Sequence, residues 1–266
     1  MTAIRTWVLF LFVGIGTLFS YAAMAQIGTV VALTQPAEVQ TGDNRNLLSV
    51  GDTVMTGDVV STGTNGRVQL QFPDETRIVV GPKSQLKIQK LLFRKDNTAR
   101  RFRLRAVSGT FRMLTGNSPK RAYSVRTPTG SMAVRGTEFD FHIPNTKRET
   151  TLVVHEGAVN LCGAGGRCVV VPNGCRMVGV NQALRFAQPK TLADRNSFLE
   201  RAFPFAFDDT VLAPAFRATQ LNCRDDDKKV TAQTPASEIL LPQLALPKPP
   251  DPSSTDKKPR SGNPAE

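Results

Sequence analysis

Arg67-Val68-Gln69-Leu70-Gln71-Phe72 alternates polar and apolar side chains, which places Val68, Leu70 and Phe72 on one face of a strand. The same two-residue period returns in Arg101-Phe102-Arg103-Leu104-Arg105 and in Thr110-Phe111-Arg112-Met113. Denser apolar runs stand around them: Ile78-Val79-Val80, Leu152-Val153-Val154 and Cys168-Val169-Val170-Val171. These read as strands covered on both faces. Turn signals separate the runs at close intervals, among them Thr41-Gly42-Asp43-Asn44, Asn65-Gly66, Gly81-Pro82, Gly116-Asn117 and Pro172-Asn173-Gly174. Many short strands with Gly/Pro turns and no intervening helix predict a mainly β domain over residues 27–180, an antiparallel β-sandwich or β-roll.

The flanks differ in style. Arg5 precedes an apolar run beginning at Trp7, and Ala23-Met24-Ala25 closes it with small residues, so 1–25 reads as a signal peptide and the remainder as exported. If the peptide is uncleaved, it serves as a membrane anchor. Beyond Val180, Thr191-Leu192-Ala193-Asp194 resembles a capping box opening a helix that runs to about Phe203, where Pro204 ends it. Phe198, Phe203, Phe205, Phe207 and Phe216 are five of the chain's 15 Phe. That density predicts a helical extension, 181–228, packed back on the β domain. Residues 229–266 form a tail with eight Pro from Pro235 onward and no aromatic residue, and it is expected to be disordered. Its apolar stretch Ile239–Leu246 reads as part of that linker.

Export puts the four cysteines in an oxidising compartment, where an even number predicts disulfides. Cys162 and Cys168 flank a five-residue, glycine-rich loop between strand-like runs, so they are expected to pair across a hairpin, leaving Cys175 with Cys223. Zinc would need a CxxC pair or histidines at ligand spacing, and the sequence has neither. The two Gly-Asp pairs, Gly51-Asp52 and Gly57-Asp58, read as turn chemistry rather than a calcium array.

The formal charge is +12, from 34 basic and 22 acidic residues. It is not spread evenly. Twelve cations fall between Lys87 and Arg126, namely Lys87, Lys90, Arg94, Lys95, Arg100, Arg101, Arg103, Arg105, Arg112, Lys120, Arg121 and Arg126, against the single acid Asp96. Export removes nucleic acid as a partner. Arg101, Arg103 and Arg105 share one strand face about 7 Å apart, a spacing suited to repeated phosphates or carboxylates. With Arg94 and Lys95 they are the candidate anion- or partner-binding residues. The alternative is a solvated face or an edge strand kept soluble by charge.

A family resemblance joins these pieces. It is carried by Val50-Gly51-Asp52-Thr53-Val54, Thr56 through Gly63, Gly66 through Asp74, Ile78 through Ser84 and Val107-Ser108-Gly109-Thr110-Phe111. It continues through Val125 to Gly130, Val134-Arg135-Gly136-Thr137-Glu138-Phe139 and Val153 through Val159. In this order they resemble the periplasmic FecR domain. The resemblance implies a β domain of the cell envelope and a place in signal transduction. FecR regulators also carry a cytoplasmic anti-sigma segment, whereas here only Met1 to about Thr6 precede the apolar run, so a secreted FecR module is expected. Within the string Arg135-Gly136-Thr137-Glu138-Phe139, a bulge at Gly136 would let Arg135 pair with a carboxylate or carbonyls and pin the two sheets.

Catalysis is not expected. His142 and His155 are the two histidines, and Ser84, Ser108 and Ser131 lie outside any GxSxG elbow. Gly163-Ala164-Gly165-Gly166 has no following Lys or helix to cradle phosphate. The sequence therefore predicts a non-catalytic periplasmic binding or scaffold module, with no cofactor and no metal. Its expected partner is an envelope protein or an anionic envelope polymer, with possible contact to the membrane surface. The alternatives are a periplasmic sensor input for a separate membrane signalling protein, and an adhesive module for anionic glycan or lipid.

Overall fold

The computed structural model describes residues 28–134, 136–183, 185–219 and 223. The expected signal peptide, Arg135 and the 229–266 tail lie outside these residues. No helix among the described residues is long and apolar enough to cross a membrane.

The chain is mainly β. Its strands are β1 (Gly28–Thr34), β2 (Ala37–Thr41), β3 (Asn44–Leu47), β4 (Thr53–Val54), β5 (Val59–Thr62), β6 (Arg67–Gln71), β7 (Arg77–Val80) and β8 (Gln85–Phe93). Then come β9 (Ala99–Leu114), β10 (Tyr123–Arg126), β11 (Gly130–Val134), β12 (Glu138–Ile143) and β13 (Glu149–Glu156). Last are β14 (Ala158–Gly163), β15 (Cys168–Pro172), β16 (Arg176–Asn181) and β17 (Phe186–Ala187), followed by helix α1 (Leu192–Ala202) and the single turn α2 (Pro204–Phe207).

Hydrogen bonding joins these strands into one large sheet folded into two layers. The first layer runs β4-β1-β6-β7-β9-β12-β13-β16-β17, and the second β3-β2-β5-β8-β9-β10-β11-β14-β15. All pairings are antiparallel except β9 with β10. Strand β9 belongs to both layers. Residues up to Ser108 pair with β8 and β10, and those from Gly109 onward pair with β7 and β12.

The corner sits at Gly109, whose φ of +105° lies in the region open to glycine. A Cβ there would collide with Cα and Oγ of Ser84, and the Ser84 hydroxyl accepts from Thr110 N at 2.9 Å. The backbone atom cannot swing aside. Gly109→Ala is expected to cost roughly 2–3 kcal/mol through overpacking and strain, measurable as a lower urea midpoint with an unchanged slope.

The alternation read from the sequence builds the core between the layers. Phe102, Leu104 and Ala106 point inward from the first half of β9, Phe111 and Met113 from the second. Phe72 packs edge-on against Phe102 at 4.8 Å, and Phe111 stacks on Phe141 at 4.8 Å. Two of the three dense apolar runs are buried on both faces: Ile78 and Val80 enter the main core while Val79 joins a cluster on the opposite face, and Leu152 and Val154 flank an outward Val153 in the same way. The third run differs. Cys168–Val171 forms β15 at the rim of the second layer, where Val170 is 49% exposed.

Both expected disulfides are present. Cys162 and Cys168 face each other in the β14–β15 register with Cα atoms 4.0 Å apart, and Cys175 joins Cys223.

Candidate functional site

The two outer faces of the sandwich have opposite fates. On the first layer, Gln69, Val79, Arg112, Asp140, Val153 and Met177 stand side by side in register across β6, β7, β9, β12, β13 and β16, all buried. The C-terminal extension covers them. Thr191 caps α1 by accepting from Asp194 N at 3.0 Å, and Pro204 opens α2 directly after the helix ends. Leu199, Ala202, Phe203 and Ala206 pack on Val153 and Met177, while Phe205, Leu212 and Phe216 pack on Val79. Polar contacts fix the register of the cover: Thr110 Oγ1 donates to Ala202 O at 2.9 Å, and Ala213 N donates to Gln69 Oε1 at 2.9 Å.

Arg112 is the centre of this interface. Its side chain is 0% exposed and binds Asp140 through two parallel bonds, Nε to Oδ1 at 2.7 Å and Nη2 to Oδ2 at 2.9 Å. Nη1 reaches Asp209 Oδ2 of the extension at 2.8 Å, and Nη2 also donates to Phe205 O at 2.6 Å. Burial works against the charge on Arg112, but Asp140 and Asp209 overcome it and raise its pKa above the ordinary value. Burial likewise opposes ionisation of Asp140, yet Arg112 and His155 hold that carboxyl far below the usual range. Among the twelve cations of the basic stretch, Arg112 is therefore a structural clamp and not part of any open surface.

His155 lies beside the clamp, with Nε2 3.2 Å from Asp140 Oδ2 and Nδ1 3.6 Å from Cys223 Sγ. It is the extra residue of a bulge, since Glu156 pairs with Glu138 and Val154 with Phe139. The two sulfurs near it are joined in the Cys175–Cys223 disulfide, so they are not thiolates able to hold a metal with His155. His142 sits at the seam between β12 and the extension, its Nδ1 2.9 Å from Thr110 Oγ1, and burial lowers its pKa.

Among the described residues, the outer face of the second layer carries no such cover. Arg101, Arg103 and Arg105 project from it in alternation with buried Phe102 and Leu104. Their neighbours are also cationic: Arg105 is in register with Lys87 on β8 and Arg126 on β10, and Arg103 with Lys90 and Ser124. Like charges directly opposite each other destabilise a sheet. Nor do they guard an edge, because β9 is central in both layers. Edge protection therefore does not account for them.

Arg94, Arg100, Arg101, Arg103, Arg121 and Arg126 surround a concavity of about 370 Å³ with Ala122 and Ser124 also lining it. Among the described residues, these arginines take part in none of the ion pairs found. The stretch's acid, Asp96, accepts from Thr98 Oγ1 at 2.7 Å and Thr98 N at 3.0 Å, bonds that lower its pKa and commit it to the β8–β9 turn. Of the five predicted anion-binding residues, Arg94, Arg101 and Arg103 line the concavity. Arg105 lies next to it on the same face, and Lys95 belongs to the turn.

A buried node fixes the floor. Tyr123 Oη donates to Asp74 Oδ2 at 2.8 Å, Ser118 Oγ donates to the same oxygen at 2.6 Å, and Ala99 N donates to Ser118 Oγ at 2.5 Å. The start of β9 and the start of β10 are thus tied to one carboxylate. Burial foremost raises the Tyr123 pKa and keeps the phenol a donor.

Residues 58–160 match the family model described as FecR protein. The chain carries a FecR domain. No curated protein matches the chain. Two crystal structures of a "putative anti-sigma factor" from Parabacteroides distasonis are similar to it, at 14% and 13% identity and TM-scores of 0.41 and 0.40. In each case 49% of this chain aligns, and the chain spans 58% of the length of that structure.

The matched part of the FecR domain runs from the residue before β5 into β14, so it contains the whole basic stretch together with Arg112, Asp140 and His155. Asp209, Cys223 and the cover lie outside it. The Gly-Asp pairs at and before its start act as turns: Asp52 Oδ2 accepts from Ser49 N at 2.7 Å and Asp58 Oδ2 from Met55 N at 2.8 Å. Residues 136–139 of the string lead into the first layer, to which β12 belongs, whereas β11 belongs to the second. Gly136, at φ +66°, turns the chain there. Thr137 N donates to Thr115 Oγ1 at 2.8 Å, Phe139 enters the core, and Glu138 accepts from Thr219 N and Oγ1, both at 2.8 Å. The expected Arg135 pairing lies outside the described residues.

Proposed function

We propose that this chain is a non-catalytic FecR-type binding and scaffold module of the bacterial cell envelope, exported to the periplasm, which presents the basic face of its second layer to an anionic envelope partner. One observation supports this reading: the first layer's outer face is sealed by the chain's own extension, while among the described residues the second layer's is uncovered and lined with arginines that take part in none of the ion pairs found there. Holding like charges together on a central strand costs stability, and a ligand that neutralises them recovers it.

The test is binding of the purified protein to mixed phosphatidylcholine–phosphatidylglycerol vesicles across a salt series. Affinity should fall steeply as salt rises. Replacing Arg101, Arg103 and Arg105 together by Ser should weaken it about a hundredfold at low salt. A triple variant that binds as the parent does would refute the assignment of this face.

A regulatory reading stands second and is favoured by the FecR match. In it the module is the periplasmic input of a separate membrane signalling protein. Deletion would then change a defined transcript set, whereas loss of a scaffold would change envelope integrity.

A further inference from the structure

Resting on that reading, we infer that the concavity between β9 and β10 is a phosphate cup that recognises a terminal phosphomonoester or pyrophosphate group. A cationic face alone attracts any anion. This one has a shaped depression with a small floor.

The floor comes from register. The parallel β9–β10 pairing sets Ser124 directly beside Arg103, and Ala122 precedes the strand. Where Arg105 faces Arg126 one step further, the same row carries two long side chains. The small outward Ser124, next to core-packed Ala122, therefore leaves a hollow that the surrounding arginines line. Ser124 also brings a hydroxyl to the bottom of the hollow, able to donate to a ligand oxygen.

One wall residue and the backbone beneath the floor are held in advance. Arg94 donates from Nη1 to Thr98 Oγ1 at 3.2 Å and to Ala99 O at 3.3 Å. Beneath the floor, Tyr123, Ser118 and Ala99 converge on Asp74 as described, which fixes β10 against β9. Preorganised groups bind with less ordering cost.

The choice of phosphate follows from counting oxygens. A carboxylate offers two oxygens in one plane and is satisfied by one guanidinium fork. Arginines lining the hollow from two strands and two turns suit a group whose oxygens point in different directions and carry about two charges, as a phosphomonoester does near neutral pH. A phosphodiester has one charge and two unbridged oxygens, and so fits less well. A lipid headgroup and a soluble polyphosphate both offer this chemistry, and the experiment below tells them apart.

The experiment compares three probes on the full chain: vesicles containing phosphatidic acid, vesicles containing phosphatidylglycerol at matched charge density, and soluble tripolyphosphate. The inference expects phosphatidic acid or tripolyphosphate to bind at least tenfold more tightly than phosphatidylglycerol. Preference confined to the vesicles names a lipid source, and preference confined to tripolyphosphate names a soluble one. Ser124→Gln fills the floor without changing charge and should abolish the preference, while Arg105→Gln, outside the cup, should weaken all probes alike and leave the preference in place. Ser124→Ala, which keeps the floor open, should retain most of it and guards against a folding defect. Equal binding of all probes, unaffected by Ser124→Gln, overturns the cup and leaves the basic face standing as a general anion surface. Failure of every probe to bind overturns both.

Discussion

Arg112→Met is expected to destabilise the folded chain by about 3–5 kcal/mol, the range for leaving one side of a buried ion pair without its partner. Two carboxylates would be stranded: Asp140, with a side chain 0% exposed, and Asp209, which is nearly as buried. Ala218 N donates to Asp209 at 2.9 Å, but a single amide does not replace the guanidinium. The loss should appear as a lower urea midpoint. Removing all the charges together, with Arg112→Met, Asp140→Leu and Asp209→Leu, should recover much of it, because well-packed apolar groups replace buried ion sets at little cost. The pH dependence has a definite sign. The folded-state pKa of Asp140 is depressed, so its contribution is complete above the unfolded carboxylate range near about 4 and is lost as pH falls below it. The parent protein should therefore lose stability on acidification below about pH 4. In Arg112→Met the carboxyl has lost its main partner and protonates more readily, so this acid slope should flatten or reverse.

The second large effect is that of the Cys175–Cys223 disulfide. It spans 48 residues and ties the end of the extension to the turn before β16, and Arg195 reinforces it by donating to Cys223 O at 2.6 Å. In the chain-entropy treatment, opening a loop of that size costs about 4 kcal/mol. Cys162–Cys168 closes a separation of six and should be worth roughly 2 kcal/mol on the same treatment. Cys223→Ser should thus lower stability more than Cys168→Ser. It should also loosen the cover, which limited proteolysis would detect as cleavage between residues 191 and 219 under conditions that leave the parent intact. If Cys223→Ser is as protease-resistant as the parent, the apolar contacts and the Arg112 clamp hold the cover without it.

Much of the fold was legible because strand periodicity is local. Phe102, Leu104, Val68 and Leu70 declared their face by alternation, and the runs around Val79 and Val153 announced that both sides were covered. What covered the outer side was visible only as a density of phenylalanines a hundred residues away, with no indication of where they dock. The run at Cys168–Val171 misled for a related reason: apolar content does not distinguish a central strand from a rim strand, and β15 has a neighbour on one side only within its layer. The basic stretch was legible as a count and as a row, but not as a cup. Arg112 counted among the twelve cations of the stretch, but its place in the alternation is shifted by one from Arg101, Arg103 and Arg105, since Phe111 and Met113 rather than Thr110 and Arg112 point inward. The break is Gly109, where β9 leaves one layer for the other, and the partners Asp140 and Asp209 are 28 and 97 residues away. Arg121 and Arg126 joined the site through the parallel β9–β10 pairing, a long-range register that no local pattern encodes.

The central claim is that one outer face is sealed by the chain itself and the other is where a ligand binds. Amide hydrogen exchange with and without saturating tripolyphosphate tests it most directly. The account predicts added protection in the segments around 99–106 and 120–127, with exchange in 192–219 unchanged. Protection confined to 192–219, or none in β9 and β10 when the ligand is demonstrably bound, would contradict it.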